Sequence, residues 1–168
     1  KKVAVMADNR KDDKVDKSVL ITRRSMLEGD FPIEIGPNTI LHPECRIYAN
    51  KGPIKIGSNN LFEEQSVVVN NTDQTMVIGD FNTIEVGARI KSISIGSRNV
   101  FECKSSVALG AAVGNDCVIG AAVAICSGDK VEDNTIVYGS DRERRPIKTK
   151  RNLADIKCAL TALPKLLF

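Results

Sequence analysis

An aliphatic residue or phenylalanine returns at six-residue intervals through most of this 168-residue chain. The step runs Val15, Ile21, Leu27, then Ile35, Leu41, Ile47, then Ile56, Phe62, Val68, then Ile78, Ile84, Ile90. From Ile95 it continues unbroken through Phe101, Val107, Val113, Ile119, Ile125, Val131 and Val137. Glycine follows the repeat residue at Gly36, Gly57, Gly79, Gly96, Gly114 and Gly120. The fourth residue after it is small or turn-forming, as at Thr39, Cys45, Asn60, Ser66, Asn82, Asn99, Ser105 and Cys117. This is the hexapeptide pattern of a parallel β-helix.

The pattern has a direct physical reading. A short strand carries each aliphatic residue inward, and Gly or Asn permits the positive φ or tight bend at a corner. Three hexads close one triangular coil, and coils stack about 4.8 Å apart through backbone hydrogen bonds. The coils begin near Val15, Ile35, Ile56, Ile78, Ile95, Val113 and Val131, the last incomplete. A narrow prism interior suits Ile and Val, consistent with only 4% aromatic residues and no Trp. Extra residues enter between Leu27 and Ile35, between Ile47 and Ile56, and between Val68 and Ile78, all at one corner of the prism. They read either as a contact rim or as insertions tolerated at an edge.

The rest of the chain divides around this repeat: a tail over 1–14, the β-helix over 15–139, a basic linker over 140–151, and an amphipathic helix over 152–168. Pro146 and the charged run around it mark the linker. Leu153, Ile156, Leu160, Leu163 and Leu167 fall at helical spacing, with Asn152 placed to cap the first turn. Such a helix packs back on a β-helix face or docks on another protein. The net charge of +3, from 24 basic and 21 acidic residues, argues against a nucleic-acid partner. No stretch reaches the roughly 18 consecutive apolar residues of a membrane span, and the polar N-terminus lacks the pattern of a signal peptide. Five cysteines without a C-x-x-C pair suit reduced thiols in the cytosol, and a single histidine, without metal-ligand spacing, leaves no zinc site.

Stacking turns sequence spacing into columns. Asn60, Asn82 and Asn99 are expected to form an asparagine ladder at one turn. The residue after the second aliphatic of successive coils is Thr22, His42, Glu63, Glu85, Glu102 and Gly120. Like charges at strand spacing repel by a few tenths of a kcal/mol each, and nothing in the core calls for them. Glu63, Glu85 and Glu102 therefore read as an acidic docking ridge, with His42 beside Glu63 closing it as a cation; the alternative is a solvated face. Arg142, Arg144 and Arg145 form a second, basic candidate for partner binding.

The hexads resemble those of left-handed β-helix proteins, many of them acyltransferases or carbonic-anhydrase-like zinc enzymes. The zinc chemistry needs three histidines, which this chain lacks. Acyl transfer from a coenzyme A thioester, with His42 as the base, stays open as the alternative function. A closer resemblance lies in "IGPNTILHPECRIYANKGPIKIGSNNLFEEQSVVVN", "MVIGDFNTIEVGARI", "IGSRNVFECKSSV" and "VEDNTIVYGSDRERR". These segments, within roughly residues 19 to 151, are similar to the β-helix subunits at the pointed end of dynactin. The phrases "LHP", "NNLFEEQ" and "NTIVYG" are far more specific than the hexad itself. The resemblance implies a non-catalytic, cytoplasmic, cytoskeleton-associated subunit without cofactor or metal. It implies dynactin subunit 5 as β-helix partner, the pointed-end actin-related protein and dynactin subunit 4 as neighbours, and a role in dynein–dynactin engagement of cargo and adaptors.

Overall fold

The computed structural model describes residues 12–147, which wind into a three-sided parallel β-helix of six complete coils and part of a seventh. The first face stacks Lys14–Val15, Ile33–Ile35, Ile54–Ile56, Met76–Ile78, Ser94–Ile95, Ala112–Val113 and Lys130–Val131. The second stacks Leu20–Ile21, Ile40–Leu41, Leu61–Phe62, Thr83–Ile84, Val100–Phe101, Val118–Ile119 and Thr135–Tyr138. The third stacks Met26–Gly29, Arg46–Ala49, Val67–Asn70, Arg89–Ile90, Ser106–Val107 and Ala124–Ile125. Registers pair repeat residue with repeat residue, as in Ile35 with Ile56 and Leu41 with Phe62. The residues 1–11 and 148–168, including the helix expected over 152–168, lie outside the described part.

The repeat residues fill the prism. From Ile21 to Val137 every one is buried; Val15, in the end coil, keeps 36% of its surface. Phe62 and Phe101 sit in alternate coils of the second face with Ile84 between them, so neither ring stacks directly on the other. The corner residues four places later, from Ser25 and Thr39 through Asn99 and Cys117, are buried as well, which is why they are small or make compact polar contacts.

The corners meet the expectation in part, with Asn or Gly at positive φ at Asn38, Asn59, Asn134, Gly87, Gly110 and Gly128. The left-handed residue is the third after each repeat residue: Asn38, Asn59, Phe81, Arg98, Asp116 and Asn134 at one corner, and Arg24, Glu44, Gln65, Gly87, Lys104 and Ala122 at the next. Phe81 and Arg98 there tolerate a conformation that usually favours Gly or Asn. The repeat glycines serve close approach instead. A Cβ on Gly79 would stand 2.7 Å from the Gly96 carbonyl oxygen, and one on Gly96 2.4 Å from that of Gly114.

The asparagine ladder is present and joins coil to coil through the backbone. Asn60 Oδ1 accepts the Asn82 N–H at 2.9 Å, Asn82 Oδ1 that of Asn99 at 2.9 Å, and Asn99 Oδ1 that of Cys117 at 2.7 Å. Each Nδ2 donates to the next coil's glycine carbonyl, Gly79, Gly96 or Gly114. All three side chains are fully buried.

Three expectations about the additions and the bounds of the repeat change. The three additions do share the corner between third and first faces, but they lengthen the strands there and turn Ile33, Ala49, Ile54 and Met76 fully into the core. The segment read as an exposed linker begins as a strand: Glu143–Pro146 pairs antiparallel with Thr135–Tyr138 and covers the last edge of the second face. Lys14, placed in the tail, likewise belongs to the first strand.

Asn82→Ala strips one acceptor and one donor from a sealed interior and leaves the Asn99 N–H and Gly96 carbonyl without partners. Urea unfolding is expected to show a loss of about 2–6 kcal/mol, from roughly 1–3 kcal/mol for each of the two buried groups left unsatisfied.

Candidate functional site

The column singled out in the sequence lies at the turn that follows each second-face strand. There the backbone presents an N–H one residue further on, with no strand partner of its own. Glu102 Oε2 accepts the Ala121 N–H at 2.9 Å, and Glu85 Oε2 accepts that of Cys103 at 3.0 Å. Glu63 faces the Val86 N–H in the same way. Each carboxylate thus reaches up one coil and satisfies a turn donor. The fold does call for these glutamates, contrary to the sequence reading.

The register also explains why the series starts where it does. The residue above Thr22 that would need an acceptor is Pro43, which has no N–H. Thr22 accordingly turns its hydroxyl to the Leu41 carbonyl at 2.8 Å. Above His42 stands Glu64, whose carboxylate accepts its own backbone N–H. His42 Nδ1–H donates to Glu64 Oε1 at 2.8 Å.

His42 is therefore paired with Glu64, not with Glu63, and it does not stand out from the surface. The residue is 8% exposed, and its Nε2 is buried without a hydrogen-bond partner. The hydrogen bond from His42 holds the Glu64 carboxyl below the usual carboxylate range. Glu63 moves the opposite way: burial, then the neighbouring Glu85 charge, push its carboxyl up. The contact with Glu85 also raises the Cys103 thiol, whose Sγ donates to Oε2 at 3.3 Å. A raised thiol pKa leaves little thiolate, so Cys103 is a poor nucleophile. Cys45, sealed in the core, is pushed up to about 12 by burial.

The basic cluster is separate from this column and is occupied by the fold. Arg142 donates to Cys126 Sγ. Arg144 donates to the Lys130 carbonyl at 2.9 Å and pairs with Asp129 at 3.4 Å. Arg145 lies over the Tyr138 ring, 5.2 Å from its centroid, and pairs with Glu143. Together they fasten the closing strand to the last coil, while their outer surfaces stay exposed. Sequence reasoning missed Glu64, the partner of His42; its signal was the second glutamate of "LFEEQ", legible only once the register is known.

Among the described residues, no group of three or more His, Cys, Asp or Glu side chains is placed to hold a metal. The column is an ordered acidic strip along one corner, with buried His42 paired to half-exposed Glu64 at its lower end. Such a strip can receive cationic groups from a partner; it presents no accessible base beside an open cavity.

Comparison with known proteins sets this geometry in context. Dynactin subunit 6 of Xenopus tropicalis is 36% identical over 149 residues, covering 82% of this chain and 73% of that protein. Dynactin subunit 6 of Danio rerio is 34% identical over 154 residues, covering 84% and 77%. No protein-family model matches. Among solved structures, a hexapeptide transferase family protein from Anaplasma phagocytophilum superposes with a TM-score of 0.69 over 91% of this chain and 87% of that one. At 16% identity this is a likeness of fold, the left-handed parallel β-helix.

The opposite displacements of neighbouring carboxyls give a test of the column. Glu63→Gln keeps an acceptor for the Val86 N–H and removes the repulsion from Glu85. Because the Glu63 pKa is raised on folding, the wild-type penalty appears as pH rises through the carboxylate range and vanishes below it. Thermal melts are expected to favour Glu63→Gln at pH 7 and to converge with wild type at low pH. Glu102→Ala, which abandons the Ala121 N–H, is expected to cost about 0.5–1.5 kcal/mol.

Proposed function

Because the chain belongs to the dynactin subunit 6 family, we propose that it is a non-catalytic subunit of the dynactin pointed-end complex that works through protein–protein contacts. The observation that carries this reading is the 36% identity over 149 residues with dynactin subunit 6 of Xenopus tropicalis. Its place is then cytoplasmic and cytoskeleton-associated. Its neighbours are dynactin subunit 5 as β-helix partner, the pointed-end actin-related protein and dynactin subunit 4. Through them it contributes to dynein–dynactin engagement of cargo and adaptors.

The state of His42 supports a non-catalytic role. A general base needs hydrogen-bond reach to the proton it removes. Here Nδ1 is committed to Glu64 at 2.8 Å and Nε2 is buried. The acyl-transfer alternative would need this one imidazole to open to a substrate.

The acidic strip Glu63, Glu85 and Glu102, and the outer surfaces of Arg142, Arg144 and Arg145, serve in this reading as charged contacts that guide the approach of partners. Charged contacts at the edge of an interface act mainly on orientation and association rate. Buried His42 acts on such contacts only by holding Glu64.

Two measurements check the reading. Affinity purification of the tagged chain from its own cells is expected to bring dynactin subunits with it; a lone homotrimer with acyl-coenzyme A turnover that is lost in His42→Ala would overturn it. The triple variant Glu63→Gln, Glu85→Gln, Glu102→Gln keeps the turn acceptors and removes the charge. It is expected to fold and to recover fewer pointed-end partners, and undiminished recovery would remove the strip from the interface.

A further inference from the structure

The walls differ in how their cations are matched. On the first face Lys14 and Lys55 share Glu34, and Lys130 pairs with Glu132. On the third face Arg46, Arg89 and Lys91 are exposed, and none of them has an ion pair or a side-chain hydrogen bond among the described residues. Glu44, two residues before Arg46, feels its charge but is bonded to Arg24 and Gln65. The register gathers the three cations. Arg46 and Arg89 lie in one row on either side of Val67, two coil spacings or about 10 Å apart. Lys91 follows Arg89 by two residues, about 7 Å along the same coil, in the row of Tyr48 and Val69. Val67, Val69 and Tyr48 are half-buried between the cations, and Met26 opens the first row at 40% exposure. Above Arg89 the row continues in the short side chains of Ser106 and Ala124. Glu28 is the only carboxylate on the outward positions of these strands. Glu63, Glu85 and Glu102 border the wall at the turn from the second face into the third.

We infer that the third face receives an extended acidic segment of a partner protein, with carboxylates over Arg46, Arg89 and Lys91 and apolar side chains on Val67, Val69 and Tyr48. Two or three residues of extended chain span about 7–10 Å. That is the spacing of these cations, so carboxylates two and three residues apart meet them in turn. The two guanidinium groups take carboxylates through paired N–H bonds, and the Lys91 ammonium serves as a point charge. The bordering glutamates set the width of the occupant. A continuous anionic surface, such as a lipid headgroup layer or a nucleic-acid backbone, is pressed against Glu63, Glu85, Glu102 and Glu28 when it reaches the wall. A single extended chain stays between them. The third face thus selects a partner chemistry opposite to that of the acidic corner, and the two together fix the side on which a mixed-charge segment lies.

Lys91 is the reporter. A water-soluble carbodiimide joins a lysine amine to a carboxylate in contact with it. It is applied to the tagged full chain as purified with its partners from its own cells, and the links are read by mass spectrometry. Lys55 and Glu34, 3.6 Å apart within the chain, supply the internal standard. Wild type is expected to show Lys91 linked to Asp or Glu of another chain, in a segment with a second carboxylate two or three residues away. Arg46→Gln/Arg89→Gln is expected to lower that link about tenfold and to leave the Lys55–Glu34 link unchanged, while Arg46→Lys/Arg89→Lys retains most of it. Wild type in which the Lys55–Glu34 link forms while Lys91 stays unlinked, or links only within its own chain, overturns the proposal. So does a Lys91 link of equal yield in the glutamine pair, and so does binding to phosphatidylserine vesicles that the glutamine pair abolishes. Recovery of dynactin subunits tests the subunit reading, and the Lys91 link tests this one, so either can fail alone.

Discussion

In a coil of this size the strands cannot pair within the coil, and only turn bonds, such as that from the Ser66 N–H to the Glu63 carbonyl at 3.2 Å, stay inside it. Every N–H and carbonyl directed along the prism axis depends on the coil above or below. On the flat walls the strands satisfy this by pairing. At the corners the chain turns, and side chains take over. The asparagine ladder, the carboxylates of Glu63, Glu85 and Glu102, and a third series in which Ser58, Asp80, Ser97 and Asn115 donate their N–H groups to Asp80, Ser97, Asn115 and Asp133 all answer the same requirement. Each links neighbouring coils, so a loss at one level is felt at the next. The glycine stack follows from the same closeness, because atoms that must bond between coils leave no space for a Cβ.

This requirement decides what the sequence discloses. The inward face was legible because burial imposes its period on residues such as Ile35, Leu41 and Ile47, whatever stands around them. The asparagine ladder was legible for a similar reason: an amide enclosed at a corner has few alternatives to bonding its neighbour. The glutamates were not, because their use depends on the backbone one residue further along the next coil. Pro43 above Thr22 and the N–H of Cys103 above Glu85 are the same position with opposite needs, and only the register brings them to their partners. Phe81 and Arg98 in the left-handed conformation were hidden too, since stacking against adjacent coils overrides their local preference. The closing strand Glu143–Pro146 was concealed by its charge and by Pro146, which a strand accepts at an edge.

Function in such a fold has to be written on the outside, because the inside is consumed by the repeat. The same prism underlies a hexapeptide transferase family protein of 16% identity, so coil count and core composition do not tell different functions apart. What separates them is the chemistry left accessible. Here the only imidazole is bound to Glu64 and buried, the exposed Cys103 thiol is raised by its contact with Glu85, and charged side chains stand on the first and third walls as well as at corners and ends.

The two ends of the prism are unequal in a way that bears on assembly. At the C-terminal end the second face is finished by an antiparallel strand fastened through Arg142, Arg144 and Arg145, and the Lys130 carbonyl of the first face is taken by Arg144. At the other end Lys14–Val15, Leu20–Ile21 and Met26–Gly29 each have a single neighbour among the described strands. Unpaired edges of a parallel stack invite another strand or coil, and Val15 and Met26 expose apolar surface beside them. Among the described strands, three edges lack a second neighbour at the first coil and two, Ala124–Ile125 and Lys130–Val131, at the last. Of the three faces, the last coil is thus capped by a further strand on the second alone.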